Sequence, residues 1–514
     1  MNALTLAIFL PVLGLIGILF TKKENPGQAR AVGFFTMLVT FVFCTIIAAQ
    51  CFGKPPAGGD YHYATKALWI DLGGSFQVHY AIGVDGLSGM LIFLTGLLGV
   101  CAALASWKIQ EGVKGYWAMF LLLHTGVIGT FAALDLFLFY VFWEIMLLPM
   151  YFLIGVWGGP RRVYSAIKFF LYTLFGSIFL LAGILVVYFA LTSKGSGFAG
   201  NPFSIPEITA FAKSAAAQGN ILHVFGANAH TIATLVFWGM FVAFAIKVPV
   251  FPFHTWLPDA HVEAPTPISV ILAGILLKLG GYGMLRINFP FFGEILQEQA
   301  FWIGLLGLIN IVYGAFVAMA QTDFKRLVAY SSVSHMGFCL LGFAAMTREG
   351  LNGAILQLFN HGTISGLLFL MVGVVYDRAH HRDLGRFGGL MWKMPVYAAV
   401  SGIAIFASLG LPGLSGFIGE FLVFVGSFNS TFYGGAKLIT VLATVGLVVT
   451  AAYYLRALQK VFLGQTNPAC AAFPDAGKRE LWSMMPLLVP TILFGIWPAP
   501  LIDLISGFVA TMVN

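Results

Sequence analysis

Residues 231–286 read TIATLVFWGMFVAFAIKVPVFPFHTWLPDAHVEAPTPISVILAGILLKLGGYGMLR. Two apolar runs, 231–258 and 265–285, flank a short polar segment. Each is long enough to cross a hydrocarbon core about 30 Å thick at 1.5 Å rise per residue. The first run is overlong and contains Lys247-Val248-Pro249-Val250-Phe251-Pro252. Proline removes a backbone donor and clashes with the preceding turn, so this helix is expected to open near mid-membrane. Irregular backbone at that depth is tolerated only where protein or a water-filled cavity surrounds it. The same stretch places Lys247 and Lys278 inside the apolar runs.

The rest of the chain has the same character. Of 514 residues, 59% are hydrophobic and 9% charged, with a mean hydropathy of +0.90, whereas soluble domains carry about 25% charged residues. That composition excludes intrinsic disorder, a secreted disulfide scaffold and a soluble enzyme, and makes the lipid bilayer the solvent. Fourteen spans are expected, at 3–20, 32–52, 84–106, 116–133, 136–156, 168–192, 231–258, 265–285, 300–320, 326–346, 353–375, 395–428, 437–460 and 481–506. The runs are continuous rather than alternating, so the fold class is an all-α polytopic membrane protein without membrane strands. Leu4–Phe20 has no basic segment before it and no small-residue cleavage site, and is read as a retained first helix.

The formal charge of +7 arises from 27 lysines and arginines against 20 acidic residues. Its distribution speaks for orientation rather than for nucleic acid. Eighteen basic residues fall in loops after odd-numbered spans, among them Lys22, Lys108, Arg161, Arg378 and Arg479. Seven fall in the even-numbered loops: Lys54, Lys66, Lys194, Lys213, Arg286, Arg348 and Lys437. The excess places the odd loops in the cytoplasm and both termini on the far, periplasmic side.

A second overlong span is broken at Leu409-Gly410-Leu411-Pro412-Gly413. Counted in fives, spans 4–8 and 9–13 each have the broken helix as fourth member and start from opposite sides. That is the pattern of two inverted repeats around a midplane site. The expected divisions are 1–115 (helices 1–3), 116–285 (first repeat), 300–460 (second repeat) and 461–514 (helix 14).

Six ionisable residues lie near the middle of the slab: Glu144, Lys247, Lys278, His335, His361 and Glu420. A charge there costs about 2.5–3.5 kcal/mol on insertion scales. One buried Glu–Lys pair can be structural glue, and one buried histidine can be a satisfied core residue. Six on six different helices instead suggest a proton path. Glu144 and Lys247 form the natural first pair, because a lysine desolvated beside a movable carboxylate can yield its proton when the carboxylate withdraws. His335 and His361 suit a relay.

Other polar features carry less. His254, Asp259, His261 and Glu263 cluster at a cytoplasmic helix end without compact metal-ligand spacing, and are read as a proton entrance. His380-His381 belongs to a solvated basic loop. The five cysteines form no C-x-x-C pair, and neither a dinucleotide fingerprint nor a P-loop, haem or iron–sulfur motif is present. No metal and no cofactor of its own are expected.

The stretch 251–286 with its body HTWLPDAHVEAPTPISVILAGILLKLGGYGMLR resembles the signature of the antiporter-like membrane subunits of respiratory complex I. So do Phe324–Gly337 (FKRLVAYSSVSHMG), His361–Leu370 (HGTISGLLFL) and Gly410–Phe421 (GLPGLSGFIGEF). In that family the membrane arm pumps protons while a peripheral arm oxidises NADH and reduces quinone. The resemblance implies that Glu144 and Lys247 are the switching ion pair, Lys278 the central relay, His335 and His361 connectors, and Glu420 the terminal proton site. It places FMN, iron–sulfur clusters and quinone in partner subunits, with L- and N-type subunits as neighbours in a bacterial inner (cytoplasmic) membrane. Glu420 marks the branch, since the L- and N-type sisters and the related multi-subunit sodium/proton antiporters usually carry lysine there. The L-type also has a long C-terminal lateral helix, for which no residues follow Asn514. A subunit of a sodium/proton antiporter is the alternative reading, and a membrane scaffold a third.

Overall fold

In the computed structural model, residues 2–52, 61–74, 76–214, 221–223 and 228–513 are described. Lys54, counted above among the loop cations, and Asn514 lie outside them. The chain runs through α1 (Ala3–Leu19), α2 (Pro26–Gln50), a hairpin of β1 (His62–Asp71) and β2 (Gln77–Val84), α3 (Gly86–Ala105) and α4 (Val113–Ala132). Then come α5 (Leu136–Ile145), α6 (Leu147–Trp157), α7 (Arg162–Thr192), the short α8 (Ile205–Ala212), α9 (Ala229–Lys247) and α10 (Trp256–Glu263). α11 (Thr266–Phe291), α12 (Gly293–Met319), α13 (Phe324–Ala345) and α14 (Arg348–Ala379) follow. α15 (Pro395–Ser408) and α16 (Ser415–Phe428) flank the second break, before α17 (Ala436–Phe462), α18 (Lys478–Ile496) and α19 (Ala499–Val513).

Among the described residues, 11 helices are long and apolar enough to cross a membrane, or 12 if α18 and α19 form one bent span. α1, α15 and α16 are shorter apolar helices. The apolar windows of α11 and α14 are 100% buried, whereas that of α2 is 33% buried. The two central helices are therefore α11 and α14, and they carry Lys278 and His361.

Helix starts follow local chemistry. Asp85, Asp135, Asp323 and Thr347 accept the first free amides of α3, α5, α13 and α14, at 2.9–3.1 Å. The ends of the helices sort into two groups. At one, Lys114 donates to the Leu19 and Thr21 carbonyls, Arg30 to Ile109, and Arg382 to Asp323 and to the Val262 carbonyl. At the other, Asn2 donates to the Tyr63 carbonyl, Lys213 to the Thr511 carbonyl, and His230 meets Glu298. The first group joins only odd-numbered loops and the second only even-numbered loops and the two chain ends, as alternate crossings require.

The first break extends from Val248 to Thr255, so the helix expected over 231–258 stops at Lys247. Its freed backbone is satisfied by protein: Phe251 N–H donates to Asn310 Oδ1 at 2.7 Å and Asn310 Nδ2 donates to the Pro249 carbonyl at 3.0 Å. Trp256 Nε1 donates to the Ile246 carbonyl at 2.8 Å. At the second break, Asn360 Nδ2 donates to the Ser415 carbonyl at 2.7 Å, while Gly410 and Gly413 turn through φ of +77° and +92°.

Three features differ from the continuous-run reading. An antiparallel hairpin, with Lys66 opposite Ala81, lies outside the spans and meets the end of α4 through an Ile82–Ala133 bridge, beside a separate Asp135–Ser204 bridge. The expected span 481–506 bends by 78°, because Pro498 supplies no amide to continue the ladder. α11 contains two π-helical segments, Leu272–Leu276 and Met284–Asn288, on either side of Lys278.

Asn310→Leu removes both partners from the first break. It is expected to cost about 2–4 kcal/mol, measured as an earlier thermal denaturation of the purified protein, with Asn310→Asp intermediate because it keeps the acceptor.

Candidate functional site

Lys278 is 0% exposed and sits between the two π segments. A π turn displaces the ordinary i→i−4 ladder and leaves a carbonyl open to a side chain. Lys278 Nζ donates to the Ala273 carbonyl, five residues earlier, at 2.5 Å and lies 2.6 Å from His361 Nδ1 on α14. An ammonium in this place donates to both, so His361 accepts on Nδ1 and keeps its ring proton on Nε2, which has no hydrogen-bond partner.

The His361 ring lies 5.9 Å, centroid to centroid, from the His335 ring on α13. His335 Nδ1 is 3.1 Å from Glu420 Oε1 on α16, just past the second break. Its Nε2 is 3.1 Å from Ser408 Oγ, the last residue of α15. Ser408 donates to Tyr454 at 2.8 Å and Tyr454 to Ser331 at 2.9 Å. A cavity lined by Ser331, His335, Gln357, His361, Ser408 and Glu420 runs beside these groups. Four of the six residues singled out in the sequence, Lys278, His361, His335 and Glu420, thus form one line across the molecule's centre.

Glu144 and Lys247 stand apart from it. Glu144 is half-buried near the end of α5, and Lys247 is the last residue of α9, 1% exposed. Among the described residues no ion pair within 4.0 Å joins them, and neither Glu144 Oε1 nor Lys247 Nζ has a hydrogen-bond partner. Lys247 Nζ lies 4.8 Å from the centre of the Trp143 ring, whose Nε1 donates to Ser177 at 3.1 Å. The ammonium is held by a ring quadrupole, with the carboxylate on the next residue along α5. This pair is poised rather than closed.

In the polar cluster around α10, Asp259 receives Lys168 at 2.7 Å and Arg326 at 3.5 Å. Glu263 Oε2 accepts the Arg161 amide at 2.9 Å. His261 stacks on Phe369 at 4.4 Å, and His254 packs among Phe251, Tyr313 and Tyr330. All four imidazole nitrogens of this pair are buried without hydrogen-bond partners. The two carboxylates of the cluster therefore hold helix ends together, while its two histidines remain unbonded.

Sequence reasoning missed Ser408, Tyr454 and Ser331, which lie in three separate runs, and Trp143 and Ser177 beside the first pair. Only Ser408 carried a local signal, as the residue directly before Leu409-Gly410. Arg286, read as a loop residue, is 5% exposed; its Nη2 donates to both Asp85 oxygens at 2.7 Å. Its Nε donates to Tyr282 at 3.2 Å.

Arg286→Met is expected to cost about 3–5 kcal/mol, since it strands Asp85 without its partner. Adding Asp85→Leu should restore all but about 1 kcal/mol, the helix cap of α3. Thermal denaturation of the single and double variants checks both values.

The comparisons with known proteins bear on this arrangement. The family model "NADH:quinone oxidoreductase/Mrp antiporter, TM" matches residues 133–447, a range holding both breaks and all six residues. NADH-quinone oxidoreductase subunit M of Rickettsia felis is 39% identical over 507 residues, covering 97% of this chain and 96% of its own length. The subunit of the same name from Rhodobacter capsulatus is 38% identical over 520 residues, covering 100% of this chain and 96% of its own. A chain of respiratory complex I from Thermus thermophilus with bound NADH matches with a TM-score of 0.83 at 31% identity, over 99% of this chain and 100% of that one.

Proposed function

The chain belongs to the NADH:quinone oxidoreductase/Mrp antiporter transmembrane family, and on that premise we propose that it is an M-type membrane-arm subunit translocating protons through Lys278, His361, His335 and Glu420. The observation that carries the reading is the line these four make, from a 2.6 Å lysine–imidazole contact to a 3.1 Å imidazole–carboxylate contact, through the buried centre. Such groups in hydrocarbon are costly unless they face one another, and a proton path is the usual use of a line of them.

In the proposed cycle, a signal from a neighbouring subunit changes the separation of Glu144 and Lys247. Lys247, held only by Trp143 when the carboxylate withdraws, gives up its proton toward Lys278. Lys278 donates along the existing bond to His361 Nδ1, and His361 releases its Nε2 proton toward His335. The rings are 5.9 Å apart and both line the same cavity, so the transfer between them needs a bridging water. His335 then protonates Glu420, which discharges to the periplasmic side, and the first pair reloads from the cytoplasm.

The finer architecture belongs to the same proposal. With α1 and the pair α15–α16 counted as spans, the chain makes fourteen crossings, with both termini periplasmic. Spans 4–8 and 9–13 are the inverted repeats, so 1–115, 116–285, 300–460 and 461–514 are its divisions. The site is a translocase element of a bacterial inner-membrane complex. Electron transfer through FMN, iron–sulfur clusters and quinone resides in partner subunits, and L- and N-type subunits flank this one. Relatives named subunit M, together with glutamate rather than lysine at 420, favour this reading over the sodium/proton antiporter.

Glu420→Gln in the intact complex, assayed in membrane vesicles, is expected to lower protons pumped per quinone reduced by roughly tenfold or more, with assembly unchanged. Glu144→Gln and Lys247→Ala should do the same by uncoupling the first half. Wild-type pumping in all three variants would refute the reading and leave a scaffold.

A further inference from the structure

The hydroxyls around His335 have a definite hydrogen-bond sense, and that sense reaches the imidazole. Ser331 Oγ donates to the Val328 carbonyl at 2.8 Å, and a carbonyl can only accept. Ser331 therefore accepts from Tyr454, and Tyr454 accepts from Ser408, as their bonds of 2.9 and 2.8 Å run. Each hydroxyl has one proton to donate, so Ser408, having given its own to Tyr454, can only accept from His335 Nε2 at 3.1 Å. We propose that Tyr454 is a positioning residue: with Ser408 and Ser331 it holds His335 as the Nε2–H form, leaving one mobile proton between Nδ1 and Glu420 Oε1.

The consequence is a shared proton with two locations. Either the imidazolium faces the Glu420 carboxylate, or the Nε2–H imidazole accepts from the Glu420 carboxylic acid. In both, Nε2 keeps its hydrogen, so a proton that reaches the His335–Glu420 pair is held between Nδ1 and Oε1. All members of the wire are buried, with Ser331, Ser408 and Tyr454 between 0% and 3% exposed, which shields its sense from bulk water. The inference rests on the proton-path reading above, and gives that path a tautomer switch which the line of four residues alone does not have.

The groups facing His335 are known from every packed element. Glu420 comes from α16, His361 from α14 with Lys278 behind it, and the phenols of Tyr453 and Tyr454 from α17. α12 meets α13 through Gly307, Asn310 and Gly314, none of them titratable, and α10 presents Asp259 and His261 toward its other end. Breaking the wire frees a hydroxyl to turn round. In Tyr454→Phe, Ser408 can donate to Nε2; in Ser331→Ala, Tyr454 can donate to Ser408, which then donates to Nε2. Both favour the Nδ1–H form, in which a hydroxyl proton aimed at Nε2 opposes the arrival of a second ring proton there.

The test measures protons pumped per quinone reduced against pH, in vesicles carrying the intact complex. The alkaline limb is expected to move about one unit toward lower pH, a tenfold change in proton affinity, in both Tyr454→Phe and Ser331→Ala. Tyr453→Phe, which removes the neighbouring phenol and leaves the Ser408–Tyr454–Ser331 bonds in place, should keep the wild-type profile. An unshifted profile in both wire variants overturns the proposal, and so does an equal shift in Tyr453→Phe. Glu420→Gln runs in parallel: if pumping survives it, the proton-path reading itself fails, whatever the wire variants show.

Discussion

A polar group inside a hydrocarbon slab has no water to turn to, so every break in a helix and every charge must find its partner within the protein. The structure is arranged around that constraint. Asn310 supplies both a donor and an acceptor to the first break, and Asn360 a donor to the second. Lys278 is held by a carbonyl of its own helix and an imidazole of the next. Once these demands are met, α11 and α14 lie against one another at the centre, joined by the Lys278–His361 contact.

The two halves meet the constraint differently. Around the second break the ionisable groups stand close, Lys278 bonded to His361 and His335 to Glu420 with the two rings 5.9 Å apart, and the Ser408–Tyr454–Ser331 branch holds one ring. In the first half Glu144 and Lys247 are close in the fold but unpaired, and the lysine rests over Trp143. Tight packing couples the halves, since a methyl group on Gly280 of α11 would meet the Phe244 carbonyl of α9 at 2.4 Å. A shift of α9 about Lys247 is thereby felt two residues from Lys278.

Much of this was legible in the sequence, because the strongest signals in lipid are composition and its violations. Long apolar runs marked the helices, the Lys247–Pro252 and Leu409–Gly413 interruptions marked the breaks, and four of the six misplaced ionisable residues lie together at the centre. The remainder left no local trace. A π turn needs no special residue, so Leu272–Leu276 reads as ordinary helix. The value of Asn310 depends on a backbone about 60 positions away, and that of Tyr454 on a serine on another helix. The hairpin was hidden for the opposite reason. Its β-rich strands around Gly73-Gly74 are a recognisable pattern, but the search for continuous apolar runs passes over them.

The contact on which the account turns is the one between Lys278 and His361, where the first half hands over to the second. The most direct measurement is proton pumping per quinone reduced by the intact complex carrying Lys278→Met, which keeps the bulk of the side chain and removes its proton. The account predicts an assembled complex whose pumping is lost. Pumping at the wild-type ratio in that variant would contradict it.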